Sequence, residues 1–221
     1  MDYKDTKTFW DAVFKAHPFN PPKNLSTGIK PLDDAVDWLK KSPQNVLDFG
    51  FGSGLLLLMS AKDTQGFFHG IDISLEACTF AKKLFAHYQI KNARFETGSL
   101  DQLKKAKTNH YDSVILSNVI DNLWPEDALA LLDEVKRILK DQGKVLLKLN
   151  DHLTDDTIKQ QSLILKQKDF YLDDQGIYLW NLPTETWLKT LDKTFDCLKQ
   201  ERIFIPKANQ YNRLFLLKKK I

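Results

Sequence analysis

Three alternate glycines mark the part of this sequence that is best suited to chemistry. Gly50, Gly52 and Gly54 follow a short apolar run that ends in Asp48-Phe49, and a leucine-rich segment begins directly after them. The chain has nine glycines in 221 residues, so a third of them lie in one five-residue turn. Glycine permits positive φ angles and close approach of a ligand to the main chain. A strand, a glycine turn and a helix start, in this order, predict a site in which backbone N–H groups face a ligand.

The spacing around this turn distinguishes two classes of ligand. A dinucleotide fingerprint that starts at Gly50 requires a small residue at position 55, which is Leu55 here. Counted from Gly52, the fingerprint requires glycine at position 57, which is also leucine. Asp48, two residues before the first glycine, suits a cationic ammonium group better than a pyrophosphate. Asp72, at the end of the next apolar run, can bind two ribose hydroxyls, so the pattern favours a nucleoside that carries an amino acid.

The elements that position these residues alternate between strand and helix patterns, which predicts parallel βαβ units. The last two predicted strands, 197–205 and 213–217, are joined by a segment too short for a helical crossover, so they must pair antiparallel. Before the glycine turn, residues 4–16 and 31–41 each predict an amphipathic helix, and Ser42-Pro43 ends the second one. Residues 157–166 also predict a helix.

This combination resembles the class I S-adenosylmethionine-dependent methyltransferases over residues 45–149, with a weaker fit to the C-terminus. The family implies an α/β, Rossmann-like seven-stranded sheet that is mostly parallel, with the last strand antiparallel and helices on both faces. We expect a single methyltransferase domain over residues 1–221, in which 1–42 form an N-terminal helical cap segment and 43–221 form the Rossmann-like core. The resemblance implies an enzyme (EC 2.1.1.-) with S-adenosyl-L-methionine as cofactor and S-adenosyl-L-homocysteine as product.

The resemblance also assigns roles by position. Asp48 is similar to the acid near the methionine amino group, Asp72 to the acid on the ribose hydroxyls, and Ile73 packs on adenine. Ser99 stands where the family often has aspartate; its hydroxyl can still bond the adenine amino group, or it is a plain N-cap. The segment 117–120 resembles the one beneath the sulfonium. The implied cofactor-binding set is Asp48, Phe49, Gly50, Gly52, Gly54, Asp72, Ile73, Ser99, Leu100, Asn118 and Val119.

Catalysis and acceptor binding are less sharply indicated. Methyl transfer from a sulfonium is an in-line displacement, so the protein mainly aligns the reactants and removes water. A base is needed only when the nucleophile carries a proton. Polar residues near the carboxyl edge of the predicted sheet are the candidates, and a surface-loop histidine is the alternative interpretation of His152. The catalytic candidates are His152, Asn118 and Asp121, within a wider set that also contains Lys148, Asn150 and Asp151.

Aromatic residues predict how the site is covered. Trp10, Tyr178 and Trp180 are the candidates for substrate binding, as an aromatic lid over the site. Plain core packing is the alternative for the aromatic residues of the N-terminal helix. The acceptor and the attacked atom (O, N, C or S) are left open at this stage.

Charge composition bears on the class of acceptor. The chain has 32 basic and 29 acidic residues and a formal net charge of +3, so its composition does not demand a nucleic-acid partner. We therefore expect a small-molecule acceptor. The alternatives are a tRNA or rRNA methyltransferase that uses scattered lysines, and a catalytically silent S-adenosylmethionine-binding protein.

Compartment and assembly follow from what the sequence lacks. The first 14 residues contain no apolar stretch typical of a signal peptide, and the longest apolar run, 55–59, is too short to cross a membrane. These features predict a cytoplasmic protein, as a monomer or homodimer. No cluster of His, Cys and Asp has metal-ligand spacing, so no metal is expected. The two cysteines, Cys78 and Cys197, are expected to be buried free thiols.

Overall fold

The computed structural model describes residues 3–41 and 44–220, and helices alternate with strands along most of this range. The predicted end of the second helix at Ser42-Pro43 and the predicted boundary between cap and core lie outside the described residues, and the single-domain organisation stays a prediction. The helices are α1 (Lys4–Ala16), α2 (Lys30–Leu39), α3 (Leu55–Ala61), α4 (Leu75–His87), α5 (Leu100–Leu103), α6 (Pro125–Ile138), α7 (Asp155–Gln160) and α8 (Thr184–Leu191). The strands are β1 (Gln44–Phe49), β2 (Gly66–Asp72), β3 (Ala93–Thr97), β4 (Tyr111–Ser117), β5 (Leu139–Asn150), β6 (Ile164–Gln167), β7 (Phe170–Leu172), β8 (Tyr178–Trp180), β9 (Phe195–Ile205) and β10 (Gln210–Lys219).

The central sheet has seven strands in the order β3-β2-β1-β4-β5-β10-β9. Strands β1 to β5 pair in parallel, whereas β10 pairs antiparallel with both β5 and β9. Only a short 3-10 turn at Pro206–Ala208 separates β9 from β10, which leaves no room for a crossover helix. The predicted Rossmann-like sheet with an antiparallel last strand is therefore confirmed.

The core consists of two apolar layers, one on each face of this sheet. Successive residues of β1 point to opposite faces, so Val46 belongs to the layer covered by α2, α3 and α4 and Leu47 to the layer covered by α6 and α8. Trp187 of α8 is fully buried in the second layer. The helices on both faces that the sequence predicts are present.

The strand order reverses at β1, which has β2 on one side and β4 on the other. The crossovers that leave β1 and β4 therefore run in opposite directions and leave a crevice outside the carboxyl ends of these strands. The glycine turn follows β1 directly, and the segment from Asn118 follows β4. The topology thus brings these two segments to one edge of the sheet.

A second sheet, which the sequence did not predict, contains three short antiparallel strands in the order β6-β7-β8. The predicted helix over 157–166 is wrong in its second half, because α7 ends at Gln160 and β6 begins at Ile164. Ser162 and Asp169 adopt left-handed backbone angles, which end the helix and turn the chain back for pairing. Strand pairing with β7 overrides the helical pattern of this segment.

One smaller prediction also needs correction. Cys197 is exposed on β9, because its strand lies at the edge of the sheet, whereas Cys78 is buried as expected; both are free.

Neither a membrane span nor a metal site is found in the part of the chain that the structure describes. None of its helices is long and apolar enough to cross a bilayer. No group of three or more His, Cys, Asp or Glu side chains in residues 3–41 and 44–220 is arranged to hold a metal ion.

Candidate active site

A cavity of about 1520 Å³ lies over the carboxyl edge of the central sheet. Its floor runs from Asp72 after β2, past the glycine turn, to Lys148 and Asn150 on β5. We call the side with Asp72 the β2 end and the side with Lys148 and Asn150 the β5 end. The cavity wall includes most of the predicted cofactor and acceptor residues: Asp48, Phe49, Gly50, Gly52, Asp72, Ile73, Ser99, Leu100, Asn118, Val119, Trp10 and Tyr178.

The glycine turn requires residues without a side chain. Gly50, Gly52 and Gly54 have φ angles of 71°, 56° and 76°, which lie in the left-handed region. A Cβ on Gly50 would lie 2.8 Å from Val119 Cγ2, so the turn after β1 and the segment after β4 are in direct contact. Gly54 differs from the prediction: it is the N-cap of α3, faces Ala81 of α4 and is absent from the cavity wall. Its requirement for glycine comes from backbone angle and helix packing.

Asp72 links the glycine turn to the start of α4. Its carboxylate accepts hydrogen bonds from Gly52 N (2.9 Å) and Ser74 N (2.9 Å). Ser74 caps α4, since its Oγ accepts from Ala77 N. Burial raises the pKa of Asp72, although these backbone donors oppose the increase. An acid held by backbone groups at the cavity wall is pre-positioned for a polar ligand.

Asp48 is a buried carboxyl group beneath the same turn. It is 1% exposed, and among the described residues its Oδ1 has no hydrogen-bond partner. Burial, followed by the charge of Asp72, raises its pKa well above the usual value. Two neighbouring buried acids without a cation favour a positively charged ligand group, because such a group would satisfy the free oxygen and offset the repulsion. The residues at the β2 end therefore fit a nucleoside that carries an ammonium group.

Ser99 precedes α5 at the outer part of the β2 end. It occupies the N-cap position, yet its side chain makes no capping hydrogen bond. Its hydroxyl therefore retains its donor and acceptor capacity, and it lines the cavity with Leu100. This geometry is compatible with the predicted adenine contact.

A polar cluster forms the floor at the β5 end. Asn118 has a φ angle of 54°, which asparagine tolerates. Its Oδ1 accepts hydrogen bonds from Lys148 Nζ and from Asn212 Nδ2 (2.9 Å), and its Nδ2 donates to Asn150 Oδ1 (3.0 Å). Burial lowers the pKa of Lys148 to about 8, and the charge of Asp121 opposes this decrease.

Two predicted catalytic candidates are not in the cavity wall. Asp121 is fully buried behind the floor, where Oδ2 accepts from Asn150 N (2.6 Å) and burial raises the pKa of its carboxyl group. His152 is exposed to solvent and its side chain makes no contact with the cavity. Sequence proximity to the strand end suggested both residues, but side-chain direction places Lys148 in the wall instead.

Helix α1 and the turn between β7 and β8 cover part of the cavity. Thr6 Oγ1 donates to Gly176 O (2.7 Å), and Ser74 Oγ donates to Asp11 Oδ1 (2.7 Å). Tyr3 adds a third link, because its hydroxyl donates to Asp127 Oδ2 (2.8 Å). Trp10 and Tyr3 line the cavity; sequence reasoning missed Tyr3, which no motif marks.

Trp180 does not reach the cavity. Its ring packs edge-on against Trp187, with 5.0 Å between ring centroids, in the apolar layer under α8. Tyr178, two residues earlier on the same strand, lies in the wall. Of the three residues predicted to form an aromatic lid, Trp10 and Tyr178 line the cavity and Trp180 does not.

Comparisons with known proteins agree with this geometry. Residues 46–143 match a family model described as a methyltransferase domain. The ribosomal protein L11 methyltransferase of Lactobacillus johnsonii is 28% identical over 130 residues, which cover 57% of this chain and 39% of that protein. This chain thus corresponds to well under half of that relative's length.

Two solved structures show the same fold. The 1,6-didemethyltoxoflavin-N1-methyltransferase of Burkholderia thailandensis, with bound 1,6-didemethyltoxoflavin and S-adenosylhomocysteine, has a TM-score of 0.66 at 14% identity, over 86% of this chain and 78% of that chain. The magnesium protoporphyrin IX methyltransferase of Synechocystis PCC 6803, with bound SAH, has a TM-score of 0.65 at 21% identity, over 88% of this chain and 84% of that chain.

The fold defines a Rossmann-like protein whose cavity lies at the reversal of strand order. Within this class, residues 46–143 are similar to a methyltransferase domain, which agrees with the resemblance seen in the sequence.

Proposed function

We propose that this protein transfers a methyl group to a small-molecule acceptor by in-line displacement. The observation that carries the proposal is one continuous cavity with two chemically different ends. Ligand pockets commonly have volumes of ~300–1,000 Å³. A cavity of about 1520 Å³ has room for the cofactor at the β2 end and for an acceptor at the β5 end.

Each part of the β2 end has a role in cofactor binding. Asp48 would hold the methionyl ammonium group, and Asp72 the ribose hydroxyls. The glycine turn lets the ligand approach the main chain, and Ser99 and Leu100 would contact the adenine. When bound, S-adenosylmethionine supplies an electrophilic methyl group on a sulfonium. The protein's own contribution is to align the acceptor with this methyl group and to exclude water.

Coverage of the cavity supports a small acceptor. Helix α1 and the β7–β8 turn lie over the site and are joined by the Thr6–Gly176 hydrogen bond (2.7 Å). A folded nucleic acid would have to displace both elements to reach the floor. The related structure with bound 1,6-didemethyltoxoflavin is that of an enzyme named for a small-molecule acceptor, which agrees with this interpretation.

Calorimetry tests the cofactor site. We expect the native chain to bind S-adenosylhomocysteine and Asp72→Ala to bind it at least about tenfold more weakly, because a charge-assisted hydrogen bond contributes ~1.5–3 kcal/mol. Asp133→Ala, which removes an exposed carboxylate from α6, is the matched control and should retain native affinity. Equal affinities of the native protein and Asp72→Ala would contradict the proposed site.

A protein acceptor is the second candidate, favoured by the name of the Lactobacillus relative. Radiolabelled S-adenosylmethionine distinguishes the candidates. The protein is incubated with it in three separate reactions, which contain a low-molecular-mass cell extract, ribosomal protein L11 or tRNA as the acceptor. We expect label in the low-molecular-mass fraction. Label confined to L11 or to tRNA would overturn the small-molecule assignment, and the absence of transfer to any fraction would favour a silent cofactor-binding protein.

A further inference from the structure

The charge of the cavity floor reverses from one end to the other. Asp72 and Asp48 lie at the β2 end, on β2 and β1. Across the floor, Phe49 of β1 pairs with Leu116 of β4, and Ser117 pairs with Lys148 of β5. Neighbouring strands are ~4.8 Å apart, so Lys148 lies about 10 Å from β1 on the side away from Asp72. A cationic cofactor accounts for the acids but not for this partly buried amine.

Lys148 has hydrogen-bonding capacity that the protein does not use. Its ammonium group has three N–H donors. Among the described residues, its one side-chain hydrogen bond goes to Asn118 Oδ1, and it makes no ion pair. A partly buried cation that keeps free donors at a cavity wall is suited to bind an anionic oxygen.

The charged groups around Lys148 do not pair with its ammonium group. Asp121, behind the floor, is its nearest acid and makes no hydrogen bond with it. Arg213 of β10 donates to Asn150 O (2.9 Å) and Leu182 O (2.8 Å), so its guanidinium points away from the cavity. Asp151 is paired with Arg202 at 2.6 Å. Asp48 and Asp72 are the other acids of the floor, and both lie at the β2 end.

Asn118 fixes the position of the lysine head group. Its amide is oriented by three partners, because Oδ1 faces Lys148 and Asn212 while Nδ2 donates to Asn150. Its backbone N–H donates to Lys148 O (2.7 Å), which ties the segment after β4 to β5. The amine is therefore part of a built polar floor.

We propose that Lys148 binds an acidic oxygen of the acceptor, from a phenol or a carboxylic acid, at the β5 end of the cavity. The inference rests on the proposed function, which assigns this end to the acceptor. When the acceptor arrives as a neutral O–H acid, its O–H bond breaks, the proton leaves to solvent water, and the oxygen keeps the bonding electron pair and pairs with the Nζ ammonium group. The resulting ammonium–oxyanion pair holds an electron-rich oxygen inside the cavity.

4-Nitrophenol tests this inference, because its absorption shows whether it is ionised. The protein is first saturated with S-adenosylhomocysteine and then titrated with the probe at a pH at which the free phenol is mostly neutral. We expect the native protein to bind it as the phenolate. Lys148→Met should bind it at least about tenfold more weakly and in the neutral form, whereas Lys148→Arg should retain the phenolate spectrum.

Two controls complete the experiment. Lys144→Met changes the same residue type on the same strand, four residues away and outside the cavity, and should leave the spectrum unchanged. Benzoate and benzamide have similar shapes but different charge, so the native protein should prefer benzoate and Lys148→Met should lose that preference.

The outcomes separate the two levels of the proposal. If the native chain does not bind S-adenosylhomocysteine, the proposed function is overturned. If that binding is intact, the absence of binding by 4-nitrophenol and benzoate, or identical binding by Lys148→Met, would overturn the role of Lys148 alone.

Discussion

The β2 end and the β5 end of the cavity are built in different ways. The β2 end uses a contiguous stretch from Asp48 to Gly54 together with Asp72, and its charged groups are acids. The β5 end combines Asn118, Lys148 and Tyr178, which are far apart in the chain, and its floor carries a partly buried amine. In the proposed function the first end would hold the cofactor and the second end the acceptor.

Their electrostatic states differ as well. Burial raises the pKa of Asp48 and Asp72 at the β2 end and lowers the pKa of Lys148 at the β5 end. In each case burial disfavours the charged form. A ligand group of opposite charge would stabilise the charged form of each of these side chains. We therefore expect ligand binding to offset the cost of burying them.

The largest expected effect comes from the backbone of the β2 end. Gly50→Ala introduces a Cβ 2.8 Å from Val119 at a φ of 71°, which combines backbone strain with a steric clash. We expect S-adenosylhomocysteine affinity to fall about 100-fold, since each contribution costs ~1–3 kcal/mol. Calorimetry measures this change.

Gly28→Ala is the matched control for that variant. Gly28 has a φ of 75°, but a Cβ there meets nothing within 4 Å. This variant should lose ~1–2 kcal/mol of stability from backbone strain and keep native cofactor affinity. Equal effects of the two variants on affinity would show that the contact between the glycine turn and Val119 is unimportant.

Removing the charge of Asp48 should have opposite effects on the stability of the protein and on its affinity for the cofactor. A carboxyl group whose pKa is raised in the folded state binds more protons there than in the unfolded chain, so the free energy of unfolding falls as the pH rises above about 4. Asp48→Asn should therefore be more stable than the native chain at pH 7. Its free energy of unfolding should also fall less between pH 5 and pH 7. The variant should nevertheless bind S-adenosylmethionine about tenfold more weakly. Guanidinium unfolding at both pH values and calorimetry provide the measurements. A variant that is less stable at pH 7 would contradict the burial of a repelled carboxylate.

A smaller effect is expected where α1 covers the two ends. Thr6→Val removes the hydrogen bond to Gly176 O while preserving side-chain shape. The loss of about 1 kcal/mol should accelerate dissociation of S-adenosylhomocysteine about fivefold. Thr8→Val, on the exposed face of the same helix, should leave the rate unchanged. Stopped-flow measurement of dissociation compares the two, and equal rates would mean that this link does not restrain the cover.

The smallest effect is expected at His152. This side chain is exposed and outside the cavity wall, so His152→Ala should change neither cofactor affinity nor methyl transfer by more than about twofold. A large loss of transfer with intact cofactor binding would restore His152 as a base.

The β2 end and the β5 end also differ in how well the sequence predicts them. The turn from Asp48 to Gly54 could be identified because its residues are adjacent and glycine reports directly on the backbone. Gly54 shows the limit, since it serves α3 and its contact with α4 instead of the cavity. Trp180 and Tyr178 could not be separated in advance, because they share one face of β8 and only the packing of this strand decides which part of it lies over the cavity.

By itself, the sequence determined the βαβ order, the antiparallel last strands and the acid–glycine–acid pattern of the proposed cofactor site. These features depend on local periodicity, connection length and backbone freedom, which neighbouring residues encode. Only the tertiary structure decided that Lys148 and Asn118 form one floor, that His152 lies outside it, and that β6 is a strand. Those outcomes depend on side-chain direction and on pairing between segments distant in the chain, and no local pattern encodes either.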